Sequence, residues 1–105
     1  MSSYSVEVSE KDGVKQVRLS GSIIINHIEK IYEELKSQVT PEDAVDVIVE
    51  NPENVDITFV QLILSMKSAW KASGKHLTVT TTLPEDLTSL LAKAGIMIDS
   101  LNQKA

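Results

Sequence analysis

The sequence predicts an α/β domain in which a mixed four-stranded sheet is backed by about three helices, in the order β-β-α-β-α-β-α. Short runs rich in β-branched residues predict the strands, and the clearest of them covers residues 44–49. Stretches with apolar residues every three or four positions predict the helices. Strand-helix-strand units of this length place their strands parallel in one sheet. At 105 residues the chain is expected to form a single domain over residues 1–105.

The first twenty residues predict a hairpin. Residues 4–8 and 14–19 alternate partly between apolar and polar side chains, and they flank the turn Lys11-Asp12-Gly13. Gly21-Ser22 is expected to end the second strand.

A first helix is predicted to start near Asn26, because Asn26 followed three residues later by Glu29 is a capping pattern. Its apolar side chains fall on one face, at Ile28, Ile31, Tyr32, Leu35 and Val39. The charged residues between them are expected to face solvent. The segment Thr40-Pro41-Glu42-Asp43 then breaks the helix and leads into the central strand.

A second helix is predicted from about Thr58 to Ser73, after a turn at residues 51–54, and Gly74 stands where a helix is commonly terminated. Its core-facing side chains are Phe59, Leu62, Ile63, Met66, Ala69 and Trp70. Val60 and Leu64 lie beyond that stripe. A helix with this pattern is either deeply buried or carries part of an interface.

The last strand is predicted over residues 76–82, where Leu77 and Val79 alternate with polar residues. Pro84 and the two acids after it open a third helix, which ends at Gly95. The apolar residues among positions 96–101 are expected to dock on the domain, and the last four residues are expected to fray.

The junction Asp56-Ile57-Thr58-Phe59-Val60-Gln61 is the most informative stretch, because it places a carboxylate and a hydroxyl where a strand gives way to a helix. Thr58 followed by Gln61 is a capping-box pattern. A phosphate at such a helix start would meet free N–H donors and the positive end of the helix dipole. Thr58 is therefore either a helix cap or a phosphate acceptor, and the two roles are compatible.

Composition excludes several classes of partner. A formal net charge of −5 without a cluster of basic residues argues against nucleic acid and anionic membranes. No apolar run reaches the roughly 20 residues needed to span a bilayer. The absence of cysteine removes disulfides and thiolate metal sites and fits a reducing compartment. We therefore expect a cytoplasmic protein with a protein partner.

Catalytic residues are not recognisable in the sequence. The two histidines, His27 and His76, have no companion ligand at metal-binding spacing and are expected to be plain surface residues. No nucleophile elbow or glycine-rich phosphate loop is present. The protein is expected to be no enzyme and to need no cofactor or metal.

The order of elements, together with particular segments, resembles a STAS domain. The segments are Val47–Val49, Asn54–Thr58, Phe59–Leu64, Gly74–Leu77 and Leu90–Ile96. The STAS family includes the anti-sigma factor antagonists of bacterial partner switching. In those proteins a Ser or Thr at the start of the second helix is phosphorylated by a partner kinase that is also the anti-sigma factor. The resemblance covers nearly the whole chain and implies a module for protein–protein interaction.

Carried over by residue, the resemblance aligns Asp56 with the signature aspartate and Thr58 with the phosphate acceptor. Ile57 stands where Ser is common, and Phe59 replaces a small Gly. The continuation Gln61-Leu62 is more similar to stand-alone STAS proteins of chemosensory or lipid-transport complexes. The implied partner-binding residues are Asn26, Asp56, Ile57, Thr58 and Phe59.

Two hypotheses follow from this resemblance. The first is an anti-sigma factor antagonist-like regulator that phosphorylation of Thr58 switches. The second is a constitutive STAS subunit of a lipid-transport or chemosensory complex, in which Thr58 only caps its helix. In the second hypothesis the exposed side of α2 docks permanently on the larger assembly. Because the family favours a small residue at the position of Phe59, Phe59 is expected to be at least partly exposed and to contribute to partner binding.

Overall fold

This computed structural model describes residues 3–95, which form five strands and three helices. They are β1 (Tyr4–Lys11), β2 (Val14–Ile23), α1 (Ile25–Gln38), β3 (Ala44–Glu50), β4 (Asn54–Val55), α2 (Ile57–Ser73), β5 (Leu77–Thr82) and α3 (Glu85–Lys93). The predicted α/β class and the order of the four longer strands and three helices are confirmed. The additional strand β4 has two residues, too few for a periodic pattern to reveal it. The expected docking and fraying of residues 96–105 lie outside the described residues.

The sheet is mixed, as predicted, with the strand order β1-β2-β3-β5. β1 and β2 are antiparallel, whereas β2 with β3 and β3 with β5 are parallel. The hairpin between β1 and β2 turns through Asp12 and Gly13, which both have positive φ angles, of 54° and 80°. Two consecutive residues in this conformation form the tight turn that matches the twist of an antiparallel pair.

β2 bends at Gly21 instead of ending there, so the predicted end of this strand is wrong. Before the bend β2 pairs with β3 as far as Leu19, and after it Ser22 and Ile23 pair with β4. Gly21 has a φ angle of 82°, and a Cβ atom at this position would lie 2.3 Å from the carbonyl oxygen of Ser3. Only glycine fits such a close approach of two backbones. The bend brings the start of α1 beside β4 and therefore beside the start of α2.

The core lies between the sheet and the helices α1 and α2. These two helices connect successive parallel strands in the same direction, which places both on one face of the sheet. Every second residue of β3 points to that face, and these residues are fully buried: Val45, Val47 and Val49. α3 adds Leu87 and Leu91 to the same core.

α2 has more buried residues than α1 or α3, and one residue on α2 and one on α1 depart from the predicted core. Val60 is buried, although it lies beyond the predicted stripe, while Leu64 is 51% exposed. On α1, Tyr32 is 49% exposed, although it was predicted among the apolar side chains of the inner face. Within the described residues, no helix combines the length and apolar character that crossing a membrane requires.

Candidate functional site

The first turns of α1 and α2 lie side by side at one edge of the sheet. β2 leads into α1 and β4 leads into α2, and the pairing of Ile23 with Val55 holds these two strand ends together. The helices therefore start at the carboxyl edge of the parallel strands, where open α/β sheets usually place their sites.

Asp56 caps both helices with one carboxylate. It is the N-cap residue of α2, and its Oδ1 accepts hydrogen bonds from the N–H of Thr58, at 2.9 Å, and from the Thr58 hydroxyl. Its Oδ2 accepts from the N–H of Ile25, the first residue of α1, at 2.8 Å. The preceding residue, Ile24, contributes no side-chain cap to α1. We call this arrangement the Asp56 double cap.

The Asp56 double cap also sets the charge of the carboxyl group. Partial burial by itself would raise the pKa of Asp56, but hydrogen bonds from the Thr58 hydroxyl and from the N–H groups of Ile25 and Thr58 outweigh it. The pKa of Asp56 is thereby held below its ordinary value. Asp56 is ionised at neutral pH and places a negative charge at the positive ends of two helix dipoles.

The predicted capping roles of Thr58 and Asn26 are wrong. Asp56 has the extended backbone of an N-cap residue, with φ of −138° and ψ of −171°, while Thr58 already belongs to the helix and donates to the cap. α1 begins at Ile25, so Asn26 is its second residue and not its cap. The sequence pattern failed because Asp56 supplies both caps. It lies two positions before Thr58 and is distant in sequence from Asn26.

Two isoleucines are exposed around the Asp56 double cap. Ile25 is 66% exposed and Ile57 is 52% exposed, and the neighbouring Asn26 is exposed as well. We call Ile25, Asn26, Ile57 and the half-buried Thr58 the α2 N-terminal surface. Ile57, Asn26 and Thr58 were predicted to belong to such a surface.

The sequence interpretation missed Ile25. It is the last of three consecutive isoleucines, Ile23, Ile24 and Ile25. Neither a strand nor a helix buries three adjacent side chains on one face, so such a run at an element boundary signals that one member is exposed.

Phe59 is fully buried, which contradicts its predicted exposure and its predicted contact with a partner. It belongs to the core cluster and stands next to Val60, which is also buried. Phe59 lies on the apolar stripe of α2 that the periodicity of the sequence predicted to face the core. Phe59 therefore anchors the first turn of α2 from below and is not part of the α2 N-terminal surface.

Both histidines are half-buried, rather than plain surface residues; His27 lies in the first turn of α1, next to Asn26, and His76 directly precedes β5. The His76 Nε2 atom lies 3.0 Å from Asp46 Oδ1 and 2.9 Å from the Thr78 hydroxyl. The ring of His27 packs against that of Tyr4, with 5.2 Å between centroids. Across residues 3–95, no group of three or more His, Asp or Glu side chains is arranged to hold a metal ion.

The sequence matches the family model described as Mlab, STAS domain, over residues 6–100, which is nearly the whole chain. No match is found among curated individual proteins.

Proposed function

This chain belongs to the STAS domain family, and we propose that it is a regulatory module that binds a protein partner through the α2 N-terminal surface and is switched by phosphorylation of Thr58. STAS domains generally mediate interactions between proteins. On this proposal the chain is an anti-sigma factor antagonist-like regulator that catalyses no reaction of its own. A partner serine/threonine kinase would transfer a phosphoryl group to the Thr58 hydroxyl.

The observation that carries the proposal is the pair of exposed isoleucines that flanks a hydroxyl-bearing residue. Ile25 and Ile57 come from two different helices, and the Asp56 double cap holds those helices together. Apolar side chains that lie exposed beside polar groups are typical of surfaces that dock another protein. The rigid backbone beneath them lowers the entropy lost on binding.

The chemistry of a switch follows from the hydrogen bonds of Thr58. Its hydroxyl donates to Asp56 Oδ1, and a phosphate ester at the same oxygen has no proton to donate. Phosphorylation would also add about −1.5 to −2 charges beside an ionised carboxylate. The helix dipole and the N–H groups of the first turn favour an anion at this place, so the fold tolerates the group while the surface becomes strongly negative.

The alternative function is that of a constitutive STAS subunit in a lipid-transport or chemosensory complex, without phosphorylation. The observation that favours it is that the Thr58 side chain is half-buried and already engaged with Asp56. The next residue, Phe59, is held in the core, so the acceptor position is fixed on both sides. A kinase would have to loosen the first turn of α2 before transfer.

A binding series at Thr58 tests the proposed function. The tagged parent protein captures the partner from cells of the source organism, and calorimetry with the purified partner compares Thr58→Ser, Thr58→Glu and the matched control Thr80→Glu. Thr80 is exposed on β5, away from the helix starts. We expect Thr58→Glu to weaken binding at least tenfold, about 1.4 kcal/mol, while Thr58→Ser and Thr80→Glu bind like the parent.

Two results would separate the alternatives. Equal affinity of the parent, Thr58→Ser and Thr58→Glu proteins would contradict the switch and favour the constitutive subunit. Mass spectrometry of the protein isolated from its own cells supplies the second readout, because the switch requires a population that carries one phosphate on Thr58.

A further inference from the structure

Two neighbouring cavities lie between α1 and α2. One cavity of about 310 Å³ lies at the helix starts and includes Thr58, and another of about 290 Å³ lies toward the helix ends and includes Trp70. The two cavities share Tyr32, Leu62 and Ser65 in their walls. From Thr58 to Trp70, α2 rises about 18 Å, which is the length of about twelve helical residues. We call this depression the α1–α2 groove.

The α1–α2 groove has an apolar floor and one charge of each sign. Leu62, Met66 and Trp70 form part of the floor. Among the residues that line it, the charged ones are Glu29, in the cavity at the helix starts, and Lys36, in the cavity toward the helix ends. They are separated by about 10 Å along α1. Neither forms an ion pair with another described residue, although the Lys36 ammonium lies 5.9 Å from the centre of the Tyr32 ring.

We propose that the α1–α2 groove receives an amphipathic helix of the partner protein, about three turns long and antiparallel to α1 and α2. The inference rests on the proposed function in taking the partner to be a protein. Helices carry acidic residues preferentially in the first turn and basic residues in the last. In the antiparallel orientation the acidic first turn meets Lys36 and the basic last turn meets Glu29. The same orientation sets the negative end of the partner's dipole beside the positive ends of α1 and α2.

The groove favours a helix over other occupants. Its walls are two helices whose backbone groups are paired internally, so an extended peptide finds no strand edge to join. The net charge of −5 opposes close association of a second copy of this chain. A helix places apolar side chains every three or four positions, which suits a narrow apolar floor between two parallel walls.

Synthetic peptides of about 14 residues, or nearly four turns, serve as probes. Both carry the same stripe of leucines and no tryptophan. The matched peptide has acids in its first turn and bases in its last, and the reversed peptide has these charges exchanged. Trp70 is the single tryptophan of the protein and lies in the groove, so its fluorescence reports binding directly.

A charge exchange in the protein removes the effect of each peptide's own helicity. The double variant Glu29→Lys with Lys36→Glu reverses the charges of the groove. We expect the matched peptide to prefer the parent protein by about threefold or more, and the reversed peptide to prefer the double variant, from two partly exposed charge pairs. The absence of binding by both peptides, or the same affinity of each peptide for both proteins, would overturn the proposal.

A blocking variant separates this inference from the proposed function. Ser65 is exposed and lines both cavities, whereas Ser68 is exposed on the same helix and lines neither. Ser65→Phe should weaken the matched peptide at least tenfold, and Ser68→Phe should not, with circular dichroism showing that both are folded.

With the captured partner, loss of binding by Thr58→Glu but not by Ser65→Phe would overturn the groove and keep the proposed switch. The reverse result would keep the groove and contradict the switch. A dimer of this chain that Ser65→Phe dissociates would identify a second copy as the occupant and overturn the proposal.

Discussion

The two ends of α2 are held in different ways. At its start, the ionised carboxylate of Asp56 accepts from the backbone of two helices and from the Thr58 hydroxyl. At its end, the indole N–H of Trp70 donates to the carbonyl oxygen of Asp43 at 2.8 Å, and the hydroxyl of Ser73 donates to the carbonyl oxygen of Pro41 at 2.7 Å. The start of α2 is therefore held by hydrogen bonds to a charged carboxylate, and its end is held by hydrogen bonds between neutral groups.

Because of this difference, the two ends of α2 respond differently to a change of charge. The hydrogen bonds at the end of α2 join neutral donors to backbone carbonyls of the segment before β3, so adding a charge elsewhere leaves them intact. The Asp56 double cap depends on the charge of one carboxylate, and a neighbouring phosphate competes with it directly. A responsive surface and a fixed support thus occupy opposite ends of a single helix.

Replacing Phe59 should have the largest effect on the free energy of unfolding, and it should disrupt the first turn of α2. Phe59→Ala leaves a cavity beneath the first turn of α2, and we expect it to lower the free energy of unfolding by about 3–5 kcal/mol. The matched control is Ile57→Ala, at an exposed position two residues away, which should change stability by no more than about 0.5 kcal/mol. Urea denaturation measures both. A small effect of Phe59→Ala would mean that the first turn is not anchored through the core.

The burial of Phe59 shows what the sequence could and could not predict. The strands, the helices and most of the core follow from periodicity, because residues 44–49 and the α2 stripe need only local patterns. Periodicity also placed Phe59 on the core-facing stripe of α2, and it was the resemblance to a family with a small residue at this position that predicted its exposure. Local patterns missed the residue at which the helix starts, and a start at Ile57, rather than at Thr58, changes which residue is the cap.

The candidate site was predicted only in part for the same reason. Asn26 and Ile57 are exposed and Thr58 is half-buried at the adjacent helix starts, while their role in partner binding stays a prediction. The contact between Asp56 and Ile25 joins residues 31 positions apart, through the bend at Gly21 and the two-residue strand β4. No local pattern carries that information, since it depends on a backbone approach between distant segments.

Replacing Asp56 should have the next largest effect. Asp56→Ala removes the charged acceptor of two helix starts and leaves the N–H groups of Ile25 and Thr58 without it. We expect a loss of about 2 kcal/mol, in the range for N-caps and for hydrogen bonds to charged groups. Asp56→Asn keeps one side-chain oxygen and should lose less. If Asp56→Ala were neutral, water would satisfy these groups equally well, and the start of α2 would no longer differ from its end.

Acidic pH should weaken the start of α2. The folded-state pKa of Asp56 is below its unfolded value, so its contribution is fully present above the unfolded pKa, near 4, and is lost as the pH falls through the folded pKa. The pKa of Asp43 is also lowered, first by the hydrogen bond from the Thr40 backbone and also by Lys15. Asp56→Asn should therefore flatten, but not abolish, the decline in melting temperature below pH 4. An unchanged pH profile would contradict the role of the Asp56 charge.

At the opposite end, Trp70→Phe should cost about 1 kcal/mol. A phenyl ring takes the place of the indole in the core, and the donor to the carbonyl oxygen of Asp43 is lost. Because that bond is neutral, the loss should be the same at pH 7 and at a pH below 4, unlike the loss in Asp56→Ala. Chemical denaturation at both pH values makes the comparison. A strongly pH-dependent loss in Trp70→Phe would show that the two ends of α2 do not differ as the hydrogen bonds indicate.

Thr58 should contribute least to stability, although it is the proposed switch. Thr58→Ala keeps the N–H that donates to Asp56 and loses only the hydroxyl, while alanine is the better helix former by up to about 0.7 kcal/mol. We therefore expect Thr58→Ala and Thr58→Ser to unfold within about 0.5 kcal/mol of the parent, since a partly exposed neutral donor contributes about 1 kcal/mol or less. A capping threonine would instead lose as much as Asp56→Ala, and in that case the hydroxyl would belong to the support of α2. A small loss in stability would mean that the domain stays folded when the hydrogen bond from the hydroxyl to Asp56 is given up, which is the property that a phosphorylation switch requires.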